Sequence, residues 1–120
     1  MSREPIDLGA KLALLDGPFR PAIVGYFNGH KICVVEVLGE FVWHRHPETD
    51  DFFLVLDGRL EIELEGGAVE LGPGQLFVVP RGVAHRPRAD VPTHVLLIEP
   101  RGTPNTGDAG GALTAAEREI

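Results

Sequence analysis

Short runs of branched and aromatic residues alternate along most of this chain with turns rich in glycine and proline. Val, Ile and Phe favour β-strands, whereas Gly and Pro interrupt them. In residues 59–65 (RLEIELE) charged and aliphatic side chains alternate strictly, which is typical of a strand with one face in solvent. The pattern predicts nine strands, at residues 22–27, 31–38, 40–46, 51–56, 59–64, 68–71, 75–79, 84–88 and 94–99.

Several of these strands are joined by tight connections, such as Asn28-Gly29 and Asp57-Gly58. Residues of these types tolerate positive φ and favour short hairpins. Many short strands joined in this way predict an antiparallel sandwich or barrel. We therefore expect a single all-β domain over residues 20–100.

The two ends of the chain have a different pattern. Residues 1–19 include a stretch at 6–15 whose leucines fall roughly on one side of a helix, which predicts a short N-terminal helix. Residues 101–120 are rich in Gly and small polar residues and predict an extended C-terminal tail with a helical turn at 114–119. The sequence leaves open whether this tail is disordered or packs on the barrel or on a partner subunit.

Acidic residues outnumber basic ones, with 18 Asp and Glu against 11 Lys and Arg and a formal net charge of -7. This balance argues against binding to nucleic acid or to an anionic membrane surface, because both need clustered positive charge. Cys33 is the single cysteine, so it cannot form an internal disulfide, and we expect a small buried side chain. The first residues lack the apolar core of a secretory signal, and no apolar run approaches the roughly 20 residues of a membrane span. We therefore expect a cytoplasmic protein.

Two histidines, His44 and His46, lie two residues apart in a predicted strand, so their side chains point to the same face. The same alternation places Phe41 on the face opposite His44. A turn with three carboxylates follows at residues 48–51, and a hairpin there returns one carboxylate toward the imidazole pair. A later strand carries His85, which a barrel can bring across from the first two. Imidazole and carboxylate together suit divalent Mn, Fe, Ni, Zn or Cu, with little selectivity among them.

Two stretches of the chain carry a more specific pattern. Residues 39–58 read GEFVWHRHPETDDFFLVLDG, and residues 74–89 read GQLFVVPRGVAHRPRA. They resemble the two signature motifs of the cupin superfamily, G-x5-H-x-H-x3,4-E-x6-G and G-x5-P-x-G-x2-H-x3-N. The resemblance covers about residues 20–100 and implies a single cupin-type antiparallel double-stranded β-helix, or jelly-roll barrel. It also implies a set of metal ligands, namely His44, His46, Asp51 and His85.

The chain departs from these motifs in three places. Gly39 lies one residue closer to the first histidine than usual, and Ala89 stands where the second motif ends in Asn. Asp51 occupies the Glu position, which brings the carboxylate one methylene nearer the backbone. A different hairpin register would make Asp50 or Glu48 the ligand instead, with Asp51 ranked first.

Residues 98–108, IEPRGTPNTGD, resemble the end of a group of small single-domain cupins often labelled as similar to mannose-6-phosphate isomerase. Two histidines and a carboxylate, with or without a third histidine, can hold a metal and leave coordination positions open, so we expect a metalloenzyme that acts on a small organic ligand by metal-assisted isomerase, lyase or dioxygenase-type chemistry. The alternative is a non-catalytic binding or sensing cupin with a structural or ligand-orienting metal, and a third reading is a barrel without metal. Small cupins usually pair, so we also expect a homodimer.

The remaining candidates lie on the later strands. His94 begins the last predicted strand and is the candidate catalytic residue, as a proton carrier that faces the cavity. Arg86 and Arg88 alternate with His85, so we expect them on the outer face. The alternative is that these guanidinium groups bind an anionic ligand.

Overall fold

The computed structural model describes residues 1–120, which form one short helix and seven β-strands. No helix in it is long and apolar enough to cross a membrane. The helix and strands are α1 (Leu8–Leu12), β1 (Ala22–Phe27), β2 (His30–Glu40), β3 (Asp51–Asp57), β4 (Leu60–Leu64), β5 (Gly67–Leu71), β6 (Leu76–Val79) and β7 (His85–Pro100).

Strand β7 organises the sheet because it pairs with three other strands. It runs beside β2 along most of its length, beside β4 from His85 to Arg88, and beside β3 from His94 to Leu96. β1 then pairs with β2, β6 with β3 and β5 with β4, and every pairing is antiparallel. The predicted all-β antiparallel barrel is confirmed.

Side-chain alternation along the strands fills the interior of the barrel. In β3, Asp51, Phe53 and Val55 are buried, and the residues between them are partly exposed. In β7, His85 has the same parity as the buried Ala89. The candidate metal ligands therefore project toward the hydrophobic core, whose main cluster consists of Val35, Val37, Phe53, Val55, Leu60, Ile62, Leu71, Val79, Ala89 and Val95.

Two of the predicted strand boundaries are wrong. The predicted strands at 84–88 and 94–99 are parts of one continuous strand, β7. Residues 41–46 do not form the predicted strand, because β2 ends at Glu40 and beyond it only His44 makes a bridge, to His85. Near this point Gly39 adopts a φ of 84°, and the pairing of β2 with β7 shifts register between Val37 and Gly39. The chain therefore leaves the sheet before it reaches the two histidines.

Helix α1 is shorter than the predicted helix at 6–15. It begins after Asp7, whose Oδ1 accepts a hydrogen bond from the Ala10 N–H at 3.4 Å. None of the residues of α1 is buried. Further turns would therefore gain little packing energy, and short helices depend on such packing.

Residues 101–120 pack on the barrel. The Ile23 N–H donates to the Arg118 carbonyl at 2.7 Å, and the Ile120 N–H donates to the Ile23 carbonyl at 3.0 Å. The end of the chain thus lies beside β1. The predicted helical turn at 114–119 is wrong, because the backbone there pairs with β1 instead of with itself.

Candidate metal centre

Backbone carbonyl groups orient two of the three histidine rings. Nδ1 of His44 lies 2.9 Å from the Val42 carbonyl oxygen, and Nδ1 of His85 lies 2.9 Å from the Val83 carbonyl oxygen. Because a carbonyl only accepts hydrogen bonds, each Nδ1 carries the hydrogen and donates it. In a neutral ring this leaves Nε2 with a free electron pair, which is the arrangement found in histidines that bind metals.

The carboxylate of Asp51 lies among the three histidines. Its Oδ2 is 2.8 Å from Nε2 of His85, 3.3 Å from Nε2 of His46 and 4.0 Å from Nε2 of His44. All four side chains are buried, and their potential ligand atoms lie within 4.8 Å of one another. Asp50 is turned away, since its Oδ1 accepts a hydrogen bond from the Arg81 N–H at 2.9 Å. The structure therefore brings together the four residues ranked first from the sequence.

Burial and mutual charge set the protonation of this cluster. Burial lowers the pKa of His44 to about 4, so that its ring is neutral at physiological pH. Burial opposes ionisation of Asp51, but hydrogen bonds from His46 and His85 outweigh it and hold the pKa of Asp51 at about 2. For His46, burial is likewise outweighed by the hydrogen bond and charge of Asp51, which raise its pKa.

The chemistry of these donors fits a divalent transition metal. Nε2 of His85 and Oδ2 of Asp51 lie 2.8 Å apart, and when the ring is neutral both atoms offer electron pairs. Such a pair needs a positive charge between its members, either a proton, which gives the hydrogen bond described above, or a metal ion in its place. Two ligand atoms on opposite sides of one ion, each about 2.2 Å from it, are about 4.4 Å apart, which is close to the observed spread within 4.8 Å. Three imidazoles and one carboxylate suit several first-row metals.

A mainly apolar cavity of about 50 Å³ adjoins the cluster. The ring of Phe41 meets that of His44 edge-on at 5.4 Å between centroids, and Phe53 meets His85 edge-on at 5.9 Å. The prediction that Phe41 faces away from His44 is wrong, because residues 41–46 are not a regular strand. The cavity is lined by Phe19, Pro21, Val35, Val37, Phe41, His44, His46, Asp51, Phe53, Pro87, Val95, Leu97, Glu99 and Asn105.

Glu99 is a charged residue of this cavity that was not predicted from the sequence. Its side chain is 5% exposed, and its Oε1 lies 3.4 Å from Nζ of the buried Lys31. Burial raises the pKa of Glu99 to about 7; the charge of Asp51 adds to this rise and Lys31 opposes it. The sequence does contain a signal for the inward direction of Glu99. It has the same parity in the strand as Val95 and Leu97, and all three side chains line the cavity.

His94 is not part of this cavity. It has the opposite parity to the buried Val95, and its Nδ1 lies 2.8 Å from Oδ1 of Asp57. His94 is absent from the cavity lining. The prediction that it faces the cavity is therefore wrong, because the continuous strand β7 directs Val95 inward and His94 outward.

The arginines beside His85 lie on the outer face of the sheet, as expected. Arg86 pairs with Glu63 at 2.8 Å, and Arg88 pairs with Glu61 at 3.0 Å. Both arginines pair with residues of the neighbouring strand β4, and neither lines the cavity.

Comparison with known proteins agrees with this architecture. Residues 31–99 match the family described as Cupin domain. The chain belongs to the cupin family. A cupin-2 domain protein from Shewanella frigidimarina NCIMB 400 is 35% identical, with a TM-score of 0.79 over 80% of this cupin and 94% of the other chain. The uncharacterised protein YdbB from Bacillus subtilis is 34% identical over 73 residues, which are 60% of this chain.

The match to YdbB spans 65% of that protein, slightly less than two thirds of its length. The hydroquinone 1,2-dioxygenase PnpCD, solved with Cd²⁺ and 4-hydroxybenzonitrile, has a TM-score of 0.69 over 90% of this cupin and 74% of that chain. Its sequence identity is 21%, so the similarity to the dioxygenase extends to the fold alone.

Proposed function

We propose that this cupin is a small metalloenzyme that acts on a small organic ligand at a divalent transition metal, Fe, Mn, Ni, Zn or Cu. The observation that carries the proposal is the group of four buried donors within 4.8 Å, two of whose rings are oriented by backbone carbonyl groups. The proposed ligands of the metal are His44, His46, Asp51 and His85.

A bound metal would act as a Lewis acid toward a carbonyl or enolate oxygen of the ligand, or, as Fe(II), would support dioxygenase-type chemistry. The aromatic side chains of Phe41 and Phe53 pack on two of the ligating rings and limit the access of water. A water-poor site strengthens every charge interaction within it.

We propose Glu99 as the group that moves a proton in this cavity, in place of His94. It is the only carboxylate besides Asp51 that lines the cavity, and no side chain other than Lys31 forms an ion pair with it. A pKa near 7 also suits a general acid or base at physiological pH.

The charges around the cavity favour a neutral or weakly acidic ligand that carries oxygen atoms. No arginine lines the cavity, and the ammonium of Lys31 is already bound by the Thr103 carbonyl and the Glu117 carboxylate, each at 3.0 Å. A phosphorylated sugar would therefore find no free cation apart from the metal. A cavity of about 50 Å³ favours a compact ligand.

Turnover tests this proposal against a non-catalytic binding role. The protein is loaded anaerobically with Fe²⁺ and assayed for O₂ uptake with small phenols, diols and keto acids. Zn²⁺-loaded and Mn²⁺-loaded samples are assayed by NMR for exchange of α-protons of small carbonyl compounds in D₂O. We expect metal-dependent activity in one of these assays, loss of that activity in Glu99→Gln, and wild-type activity in His94→Gln. Full metal loading without activity in either assay would support the binding or sensing role instead.

A further inference from the structure

Two of the four candidate ligands lie on a segment that belongs to no strand. Residues 41–46 touch the sheet at two points: the Phe41 N–H donates to the Pro87 carbonyl at 3.0 Å, and the backbone of His44 exchanges hydrogen bonds of 3.0 and 2.9 Å with His85. The next residue, Arg45, directs its backbone groups the other way. Something other than the sheet must therefore fix this side of the segment.

Asp108 of the C-terminal segment supplies that support. Its N–H donates to the Arg45 carbonyl at 3.0 Å, and its Oδ1 accepts a hydrogen bond from the Arg45 N–H at 2.9 Å. Both backbone groups of Arg45 are thereby satisfied by one residue. The residue between the two histidines is held like a strand residue although no strand lies beside it.

Gly107 brings the same turn directly against the metal centre. A Cβ atom at this position would overlap the carbonyl oxygen of Arg45 and lie 3.1 Å from Cδ2 of His44. The φ of Gly107 is 54°, in the left-handed region that favours glycine. Only a residue without a side chain allows this close approach.

The turn is itself tied to the rest of the C-terminal segment. Thr106 is fully buried, and its Oγ1 lies 2.6 Å from Oγ1 of Thr114. The side-chain amide of Asn105 donates to the Leu113 carbonyl and accepts from the Ala115 N–H, each at 2.9 Å. These hydrogen bonds therefore fix the turn against residues 113–115 of the same segment.

We propose that the turn at residues 105–108 is a positioning element of the metal centre. Gly107 and Asp108 hold the backbone at Arg45 so that the flanking His44 and His46 present their rings to the same ion. This inference rests on the proposed metal site. It assigns a role to residues 104–108 (PNTGD), none of which belongs to the proposed set of metal ligands.

Paired glycine variants test the role of Gly107. Gly110 has a φ of 61°, similar to that of Gly107, but a Cβ atom there meets nothing within 4 Å. Gly107→Ala and Gly110→Ala thus impose similar backbone strain, and only the first pushes on Arg45 and His44. We expect Gly107→Ala to weaken Co²⁺ binding about tenfold or more and to change the Co²⁺ absorption bands, with Gly110→Ala close to wild type.

A second pair keeps the test valid if Gly107→Ala does not fold. Asp108→Asn retains an acceptor for the Arg45 N–H, whereas Asp108→Ala removes it. We expect weaker Co²⁺ binding and a changed spectrum for Asp108→Ala, and near-wild-type values for Asp108→Asn. Co²⁺ affinity and spectrum equal to those of the Gly110→Ala protein in both Gly107→Ala and Asp108→Ala would overturn the positioning role. A wild-type protein that binds no Co²⁺ would instead overturn the metal site, and this role with it.

Discussion

Asp51 supplies the negative charge of the donor set, although its side chain is one methylene shorter than the usual Glu. It reaches the histidines because it is the first residue of β3, where its pairing with Val79 directs it inward. Asp50 points outward to Arg81. The sequence left both carboxylates open because the pairing of β3 with β6 decides between them, and that pairing joins distant parts of the chain.

Glu99 gives a prediction for the pH dependence of stability in the metal-free protein. Its pKa is about 7 in the folded state against 4.5 for an ordinary Glu, so the folded state binds the proton more tightly. The stability that this proton contributes is complete below about pH 4.5 and is lost as the pH rises through 7. Relative to Glu99→Gln, the free energy of unfolding of the wild type should fall by about 2 to 3 kcal/mol between pH 5 and pH 8.

Urea denaturation of both proteins across this pH range measures the difference. Leu97→Met serves as the control, since it changes another residue of the cavity lining without altering a titratable group and should keep the wild-type slope. Parallel stability curves for the wild type and Glu99→Gln would contradict a buried, proton-binding Glu99.

At the scale of elements, periodicity predicted most of the strands and the inward direction of His85, since both follow from local alternation. It failed at residues 41–46, where separate contacts to Pro87, His85 and Asp108 replace a strand, and these contacts join distant parts of the chain. The continuity of β7 was hidden by Pro92, which interrupts the apolar pattern but lies inside the strand. Glu99 lies outside both motifs, so only its parity with Val95 indicated an inward direction.

The turn between β3 and β4 gives a prediction at this scale. Gly58 has a φ of 85°, and a Cβ atom there would overlap Oγ1 of Thr93, which bonds the Arg59 backbone. Gly66, in the β4–β5 hairpin, has a φ of 82° and nothing within 4 Å of its Cβ position. Alanine at either position costs about 1 to 2 kcal/mol in backbone strain. Gly58→Ala should lose about 1 to 3 kcal/mol more through overpacking, as measured by urea denaturation. Equal losses in the two variants would show that this close approach does not matter.

At the scale of the whole molecule, the C-terminal segment is an integral part of the fold. Lys31 on β2 lies between Glu99 in the cavity and Glu117 in this segment, at 3.4 and 3.0 Å. The Lys11 ammonium also donates to the Ile120 carbonyl at 2.8 Å. Composition alone could not predict this packing, because small and polar residues carry no periodic pattern that marks a buried face.

The homodimer remains a prediction at this scale. Large apolar side chains such as Phe27, Leu76 and Val78 are exposed on the single chain, and a partner subunit would remove some of them from water. Light scattering after gel filtration should give about 26 kDa, twice the chain mass of 13.0 kDa. A mass that stays at 13.0 kDa at every concentration would contradict a dimer.

The most direct test of the metal centre is elemental analysis of protein purified without a metal-affinity tag. Wild type, His44→Ala and His94→Ala are compared, because the two variants remove one histidine each, inside and outside the cluster. We expect close to one equivalent of a single divalent transition metal in wild type and His94→Ala, and a large loss in His44→Ala. Less than about one-tenth of an equivalent in the wild type, or equal metal in all three proteins, would contradict the proposed metal centre.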